Sequence, residues 1–192
     1  MLRNIVIVDD EPITRMDVLE ILEEAGYNVV GQAIDGFDAV ELCRKYKPDL
    51  VIMDVKMPLL DGIQASKVIN EENLAGGVLL LTAYSDKSFI NQATNVGVLG
   101  YLVKPIVEKS LIPAVEVALS RADEFLKIKT EAKKITERYE SRIIIEKAKG
   151  ILIINEGFSE DKAYNYIRKL SMDKRCSMKK IAEMIVLNTQ RK

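Results

Sequence analysis

The chain has 192 residues, 28 of them lysine or arginine and 29 aspartate or glutamate, with no histidine and a formal net charge of −1. The missing histidine excludes Ser-His-Asp and Cys-His catalysis, histidine-ligated zinc and a histidine phosphodonor. A hydrophobic content of 48 % argues against wholesale disorder, and two distant cysteines, Cys43 and Cys176, without a CxxC motif fit a reducing cytosol.

Short apolar runs open the chain: Ile5–Val8, a weaker Val29-Val30, Leu50–Met53, Val78–Leu81 and Tyr101–Val103. The first and third strong runs are continuously apolar, the pattern of strands buried on both faces of a parallel sheet. Helical patterns lie between them. Ile13, Met16, Leu19, Ile21 and Leu22 precede Gly26, and Phe37, Val40, Leu42 and Cys43 precede Pro48. Ile63, Val68 and Ile69 precede Gly76-Gly77, and Phe89, Ile90, Ala93 and Val96 precede Gly97. Strand and helix alternating five times predict an α/β doubly wound (βα)5 parallel sheet over residues 1–120.

All five prolines and eight of the ten glycines fall in residues 1–113, and residues 114–149 contain neither. Charge divides at nearly the same place: residues 1–107 carry net −7 and residues 108–192 net +6. An acidic, turn-rich half and a basic, turn-poor half imply two modules. The turn-poor run predicts a long helix, with residues 121–140 as a linker. In it Phe125, Ile128, Ala132, Ile135 and Tyr139 repeat at heptad spacing. That pattern fits a short dimeric coiled coil and equally one helix resting on the domain. Further on, Gly157 breaks the chain, Ser159 and Ser177 are N-caps, and Met178, Ile181, Ala182, Ile185 and Val186 share a helix face. Residues 141–192 thus predict an all-α three-helix bundle. No apolar stretch reaches the ~20 residues of a membrane span, so the expectation is a cytoplasmic protein with no membrane partner.

The ends of the strands carry the chemistry. Asp9, Asp10 and Glu11 follow the first run, Asp54 the third, Thr82 the fourth, and Lys104-Pro105 the last. Open α/β sheets place their sites beyond these carboxyl ends. An aspartate at a strand end commonly just caps a helix. Carboxylates, a hydroxyl and an ammonium together suit covalent phosphoryl transfer with Mg²⁺, since the ligands on offer are hard oxygens. The segments Val-Asp9-Asp10-Glu11-Pro, Met-Asp54-Val-Lys-Met-Pro, Asp61-Gly62, Leu-Thr82-Ala83 and Tyr101-Leu-Val-Lys104-Pro105 resemble the receiver domain of two-component response regulators. The resemblance implies Asp54 as phospho-acceptor, with Asp9, Asp10, Asp54 and the Lys56 backbone carbonyl around Mg²⁺. It also implies that Thr82, Ala83 and Lys104 contact the phosphoryl group, that Thr82 and Tyr101 act as the switch, and that Lys104–Pro105 is cis. Tyr101 reads equally as a half-buried aromatic on an edge strand. A phosphatase with an aspartyl-phosphate intermediate would need an acid two residues after Asp54, where Lys56 stands. The expectation is therefore no enzyme, only slow self-dephosphorylation.

Residues 162–192 hold nine basic side chains against two acidic ones, a footprint for phosphate or else a solvated helix face. Arg142-Ile-Ile-Ile-Glu-Lys147-Ala148-Lys149-Gly150-Ile-Leu152, Ser159 to Met172 and Met178-Lys-Lys-Ile181-Ala182 resemble the three helices of the ANTAR domain of antitermination regulators. That resemblance implies RNA with two small hairpins overlapping a terminator as the partner. With the receiver resemblance, it implies a homodimer on phosphorylation, and a sensor histidine kinase or a small acyl phosphate as the donor to Asp54. Candidate RNA contacts are Lys147, Lys149, Arg168, Lys169, Lys174, Arg175, Lys179 and Lys180. Ala148, Ala163 and Ile181 read as core, and Tyr164 as core or as a base-stacking ring. Within the family, regulators of ethanolamine utilisation are the kin suggested. The alternative is a DNA-binding transcription factor with a helix-turn-helix tail, against which residues 173–177 lack the usual turn glycine.

Overall fold

A computed structural model describes residues 2–83 and 95–189. The helix expected around Phe89, Ile90 and Ala93 lies outside the described residues. The chain folds as two compact units, Met1–Lys127 and Ile128–Lys192.

In the first unit five parallel strands form one sheet: β1 (Asn4–Val8), β2 (Asn28–Ala33), β3 (Leu50–Asp54), β4 (Val78–Thr82) and β5 (Gly100–Val103), in the order β2-β1-β3-β4-β5. Because side chains alternate across a strand, the continuous apolar runs serve two cores. Val6, Val8, Val51, Met53, Val78 and Leu80 pack with Ala39, Cys43, Ala65 and Ile69. Those partners come from α2 (Gly36–Tyr46) and α3 (Gly62–Glu71). Ile5, Ile7, Leu50, Ile52, Leu79 and Leu81 pack with Val18 and Leu22 of α1 (Pro12–Glu24) and with Leu111, Val115 and Leu119. Burial pushes the Cys43 thiol up to about 12, so it stays protonated inside the first core. The expected apolar face of α1 is only half realised. Leu22 is buried, but Ile13 and Met16 stand in solvent near the carboxyl ends of the strands.

Two aspartates start the helices that flank the site. Asp35 accepts from the amides of Phe37 and Asp38, and Asp61 accepts from Gln64, each leaving fewer orphan donors at a helix N-terminus. Gly62 follows Asp61 directly, and a Cβ there would collide with the carbonyl of Asp54. No side chain fits where α3 crosses the end of β3.

The long helix, α4 (Glu108–Glu156), passes through Pro113 and Gly150. It therefore exceeds the Gly- and Pro-free stretch at both ends. Pro113 forfeits only one backbone bond, and the buried Leu111, Val115 and Leu119 hold that turn to the sheet. In the second unit the end of α4 packs with α5 (Glu160–Asp173) and α6 (Met178–Thr189). Their common core is Ala148, Leu152, Ala163, Ile167, Ile181, Ala182 and Val186. Ser159 and Ser177 accept from the amides of Lys162 and Lys180 at 3.3 Å, as capping residues should. Arg175 adopts a left-handed backbone, φ 50°, in the turn between α5 and α6. This is a conformation that asparagine or glycine enters more easily. Among the described residues no helix is long and apolar enough to cross a membrane.

The Gly62 contact makes a first test. Gly62→Ala should destabilise the first unit by about 1–3 kcal/mol, the usual range for overpacking. Urea unfolding of the variant against the unchanged chain would measure it.

Candidate phosphorylation site and nucleic-acid interface

The strand order places β1 beside β3, with the helical connections diverging between them, so the site opens at the switch point of the sheet. Asp9 follows β1 and is fully buried. Asp54 is the last residue of β3 and Thr82 the last of β4, and both are buried. Lys104 follows β5, its amide donating to the Thr82 carbonyl at 2.8 Å. The Lys104–Pro105 bond is cis.

The ammonium of Lys104 joins these residues. It lies 2.8 Å from Asp9 Oδ2, 3.2 Å from Asp54 Oδ1 and 3.8 Å from Glu11 Oε2. Carboxylate oxygens of Asp9, Asp10 and Asp54 all come within 4.8 Å of one another, Asp10 from the exposed side. Burial pushes the Asp54 carboxyl above the ordinary carboxylate range; the Lys104 charge opposes this and the Asp9 charge reinforces it. Burial would lower the Lys104 ammonium, but its close contact with Asp9 and the charges of Asp54 and Asp9 outweigh it and raise it. The site thus carries more negative charge than one lysine balances.

Asp9 holds its place by backbone contacts as well. Its Oδ1 accepts from the Glu11 amide at 3.0 Å, and Arg15 Nη1 donates to its carbonyl at 2.6 Å. Its Oδ2 is buried and accepts no hydrogen bond of good geometry among the described residues; Lys104 meets it as an ion pair. A buried oxygen with spare lone pairs, in an all-oxygen set, fits a hard divalent cation such as Mg²⁺. Asp9, Asp10 and Asp54 would hold it. Lys56 lies exposed two residues past Asp54, Ala83 is exposed beside Thr82, and Tyr101 is half exposed on β5. Glu11 stands where the sequence places it, after β1 beside Asp9 and Asp10, whereas Arg15 as a neighbour of this cluster was missed from the sequence. Its only signal is the four-residue spacing from Glu11 at the start of α1.

In the second unit the candidate basic residues separate. Lys147, Arg168, Lys169, Lys174, Arg175 and Lys180 are exposed. Lys179 is partly exposed and pairs with Glu140 at 3.2 Å. Lys149 corrects the expectation: it is buried, with its ammonium 3.0 Å from Glu146 and 2.8 Å from Glu160. Those partners hold it charged, Glu160 foremost. It ties the end of α4 to the start of α5 and has no free face for a phosphate. A cleft of about 590 Å³ lies between the three helices, with Leu170, Met184, Ile185, Tyr166, Lys174 and Lys180 among its lining. Tyr166 packs edge-on against Phe158 at 5.6 Å. The ring at this cleft is Tyr166. Tyr164, singled out from the sequence, is a half-exposed residue of α5 outside it. Ile128, Ala132, Ile135 and Tyr139 are exposed on α4, and Phe125 is exposed on the part of α4 in the first unit.

Residues 5–116 match the model of the response regulator receiver domain, and residues 133–186 match that of the ANTAR domain. The transcriptional regulatory protein PdtaR of Mycobacterium tuberculosis is 44 % identical over 184 residues, covering 96 % of this chain and 89 % of PdtaR. The chemotaxis protein CheY of Thermotoga maritima is 33 % identical over 112 residues, covering 58 % of this chain and 93 % of CheY. Among solved structures, the receiver domain of a NarL regulator from M. tuberculosis superposes with a TM-score of 0.60 at 32 % identity. It covers 62 % of this chain and 97 % of that one. A CheX–CheY–BeF3–Mg²⁺ complex from Borrelia burgdorferi gives 0.56 at 26 % identity, covering 59 % and 86 %. The helix-turn-helix alternative is not favoured, because the tail matches the ANTAR model instead.

The raised Asp54 carboxyl has a measurable sign. The native state keeps this proton to a higher pH than the unfolded chain does, so stability falls as pH rises from the ordinary carboxylate value through the raised native one. In EDTA at pH 7, Asp54→Asn should therefore raise the urea midpoint. The gain should shrink towards zero below about pH 3.8, where both states are protonated. An equal gain at both pH values would refute the electrostatic cause.

Proposed function

Because the chain belongs to the response regulator family, with a receiver domain followed by an ANTAR domain, we propose that it is a phosphorylation-controlled, RNA-binding antitermination regulator of the cytoplasm. The architecture is not that of a catalytic enzyme family. Asp54 is the phospho-acceptor. One of its carboxylate oxygens attacks phosphorus, and the P–N bond of a kinase phosphohistidine breaks, leaving the electron pair on the imidazole. Asp9, Asp10, Asp54 and the Lys56 carbonyl would hold Mg²⁺, which would neutralise charge on the phosphoryl oxygens. Lys104 moves from the Asp54 carboxylate to the phosphoryl group, and the Thr82 hydroxyl donates to it. Ala83 borders the group, and Tyr101 follows Thr82 in the switch. Slow self-dephosphorylation returns the chain to its resting state. The single observation that carries the reading is the Lys104 ammonium seated between Asp9 and Asp54 at the carboxyl edge of the sheet.

The RNA reading rests on the cleft of the second unit. An apolar lining with an aromatic ring suits an unstacked base, and lysines beside it suit the adjoining phosphates. Lys147, Arg168, Lys169, Lys174, Arg175, Lys179 and Lys180 make up the phosphate-binding set. Two hairpins are bound by two copies of the chain, and binding holds the RNA in the form that lets transcription continue.

Two outcomes test this. Asp54→Asn should abolish Mg²⁺-dependent labelling by an acyl phosphate; persistent labelling would place the acceptor elsewhere. Lys180→Ala should weaken RNA of any sequence and reduce the slope of log affinity against log salt by about 1, the signature of one lost phosphate contact. Filter binding of the full chain to a two-hairpin RNA at several salt concentrations measures both the affinity and the slope.

A further inference from the structure

The exposed side of α4 carries a pattern that the heptad reading misses. A seven-residue repeat through Ile128, Ala132, Ile135 and Tyr139 would continue to Arg142, Glu146 and Lys149. The exposed apolar residues continue instead to Ile143 and Ile154. Ile128, Tyr139 and Gly150 stand eleven residues apart, and so do Ala132, Ile143 and Ile154. Eleven residues are about three turns at 3.6 residues per turn, so each triplet lines up along the helix. With Ile135 and Ile153 they fall in a band of roughly 100° of the helix surface. The large apolar members of the band are 38–82 % exposed. Ala148 and Leu152, which pack into the bundle core, project from the opposite side.

Two further features mark this band as an interface. A Cβ added at Gly150 would meet nothing within 4 Å. A mid-helix glycine is a poor helix former, and no packing within the described residues requires one there. The one charged residue of the band, Glu146, is drawn to the flank by Lys149 at 3.0 Å.

We propose that the band from Ile128 to Ile154 is the surface on which a second copy of this chain packs, along an eleven-residue rather than a seven-residue seam. Gly150 is where the two helices approach most closely. The proposal deepens the dimer of the preceding subsection and rests on that reading. A second copy is the occupant the chemistry favours. The band is too poor in cations for RNA. Its two small residues, Ala132 and Gly150, lie among large apolar ones, so it can pair with itself about a two-fold axis. Its side chains would bury roughly 700 Å² per copy, close to the ~800 Å² per partner of a specific interface. Pairing on this face leaves the cleft of each bundle, on the far side of α4, open to RNA. An eleven-residue period also implies a straight or right-handed supercoil.

Sedimentation equilibrium of the full chain, with and without Mg²⁺ and beryllofluoride, tests this. Ile143→Lys and Ile154→Lys replace exposed side chains, so circular dichroism should show an unchanged fold. Each is expected to raise the dimer dissociation constant at least tenfold, as Ile135→Lys does, and Gly150→Leu should weaken the dimer while raising the melting temperature of the bundle. A dimer broken by Ile135→Lys but indifferent to Ile143→Lys and Ile154→Lys would overturn the eleven-residue seam and leave the dimer itself standing. A monomer under every condition would overturn both.

Discussion

The ammonium of Lys104 holds the first unit's chemistry together. Three carboxylates converge at the carboxyl edge of the sheet, two of them buried, and like charges in that setting repel strongly. Lys104 compensates part of the repulsion from 2.8 and 3.2 Å. The remainder appears as the raised Asp54 carboxyl and the buried Asp9 oxygen whose lone pairs are not fully used. A resting site with uncompensated negative charge is primed for a divalent cation. In the reaction proposed above, an arriving phosphoryl group would meet a lysine whose present partner, Asp54, is the proposed nucleophile. These side chains are presented by the ends of β1, β3 and β4, strands that are almost wholly buried.

A second lysine plays the opposite part in the second unit. Lys149 is also buried and also lies between two carboxylates, but Glu146 and Glu160 both face solvent, which screens their one excess negative charge. Its work is to bind the end of α4 to the start of α5. The same ion pair keeps Glu146 off the apolar band of α4. One structural cation thus serves both the bundle and the apolar face of α4.

Much of this was legible in the sequence. Continuous apolar runs told of strands with both faces covered, because a period-two pattern vanishes when neither face meets water. β2 was faint: it is an edge strand, mostly only partly buried, with a register shift against β1. The clustered acidic and cationic residues were readable because each follows a strand end, a position that sequence order reveals. The basic residues of the tail were not separable, since charge counting cannot distinguish Lys149 from Lys147. Burial separates them, and burial depends on which side of α4 meets α5.

The sequence by itself determined the two-module plan, the (βα)5 order, the identity of the acidic and cationic residues at the strand ends, and the helical tail. These follow from local periodicity, from turn residues and from the rule that sites lie beyond strand ends. The tertiary structure alone decided which carboxylates share Lys104, that Arg15 joins them, that Lys149 is spent on an internal ion pair, and that Tyr166 rather than Tyr164 borders the cleft. It also decided that the apolar side of α4 runs on to Ile154. Each of these depends on which face of an element is covered by a segment distant in sequence, and no local pattern carries that information.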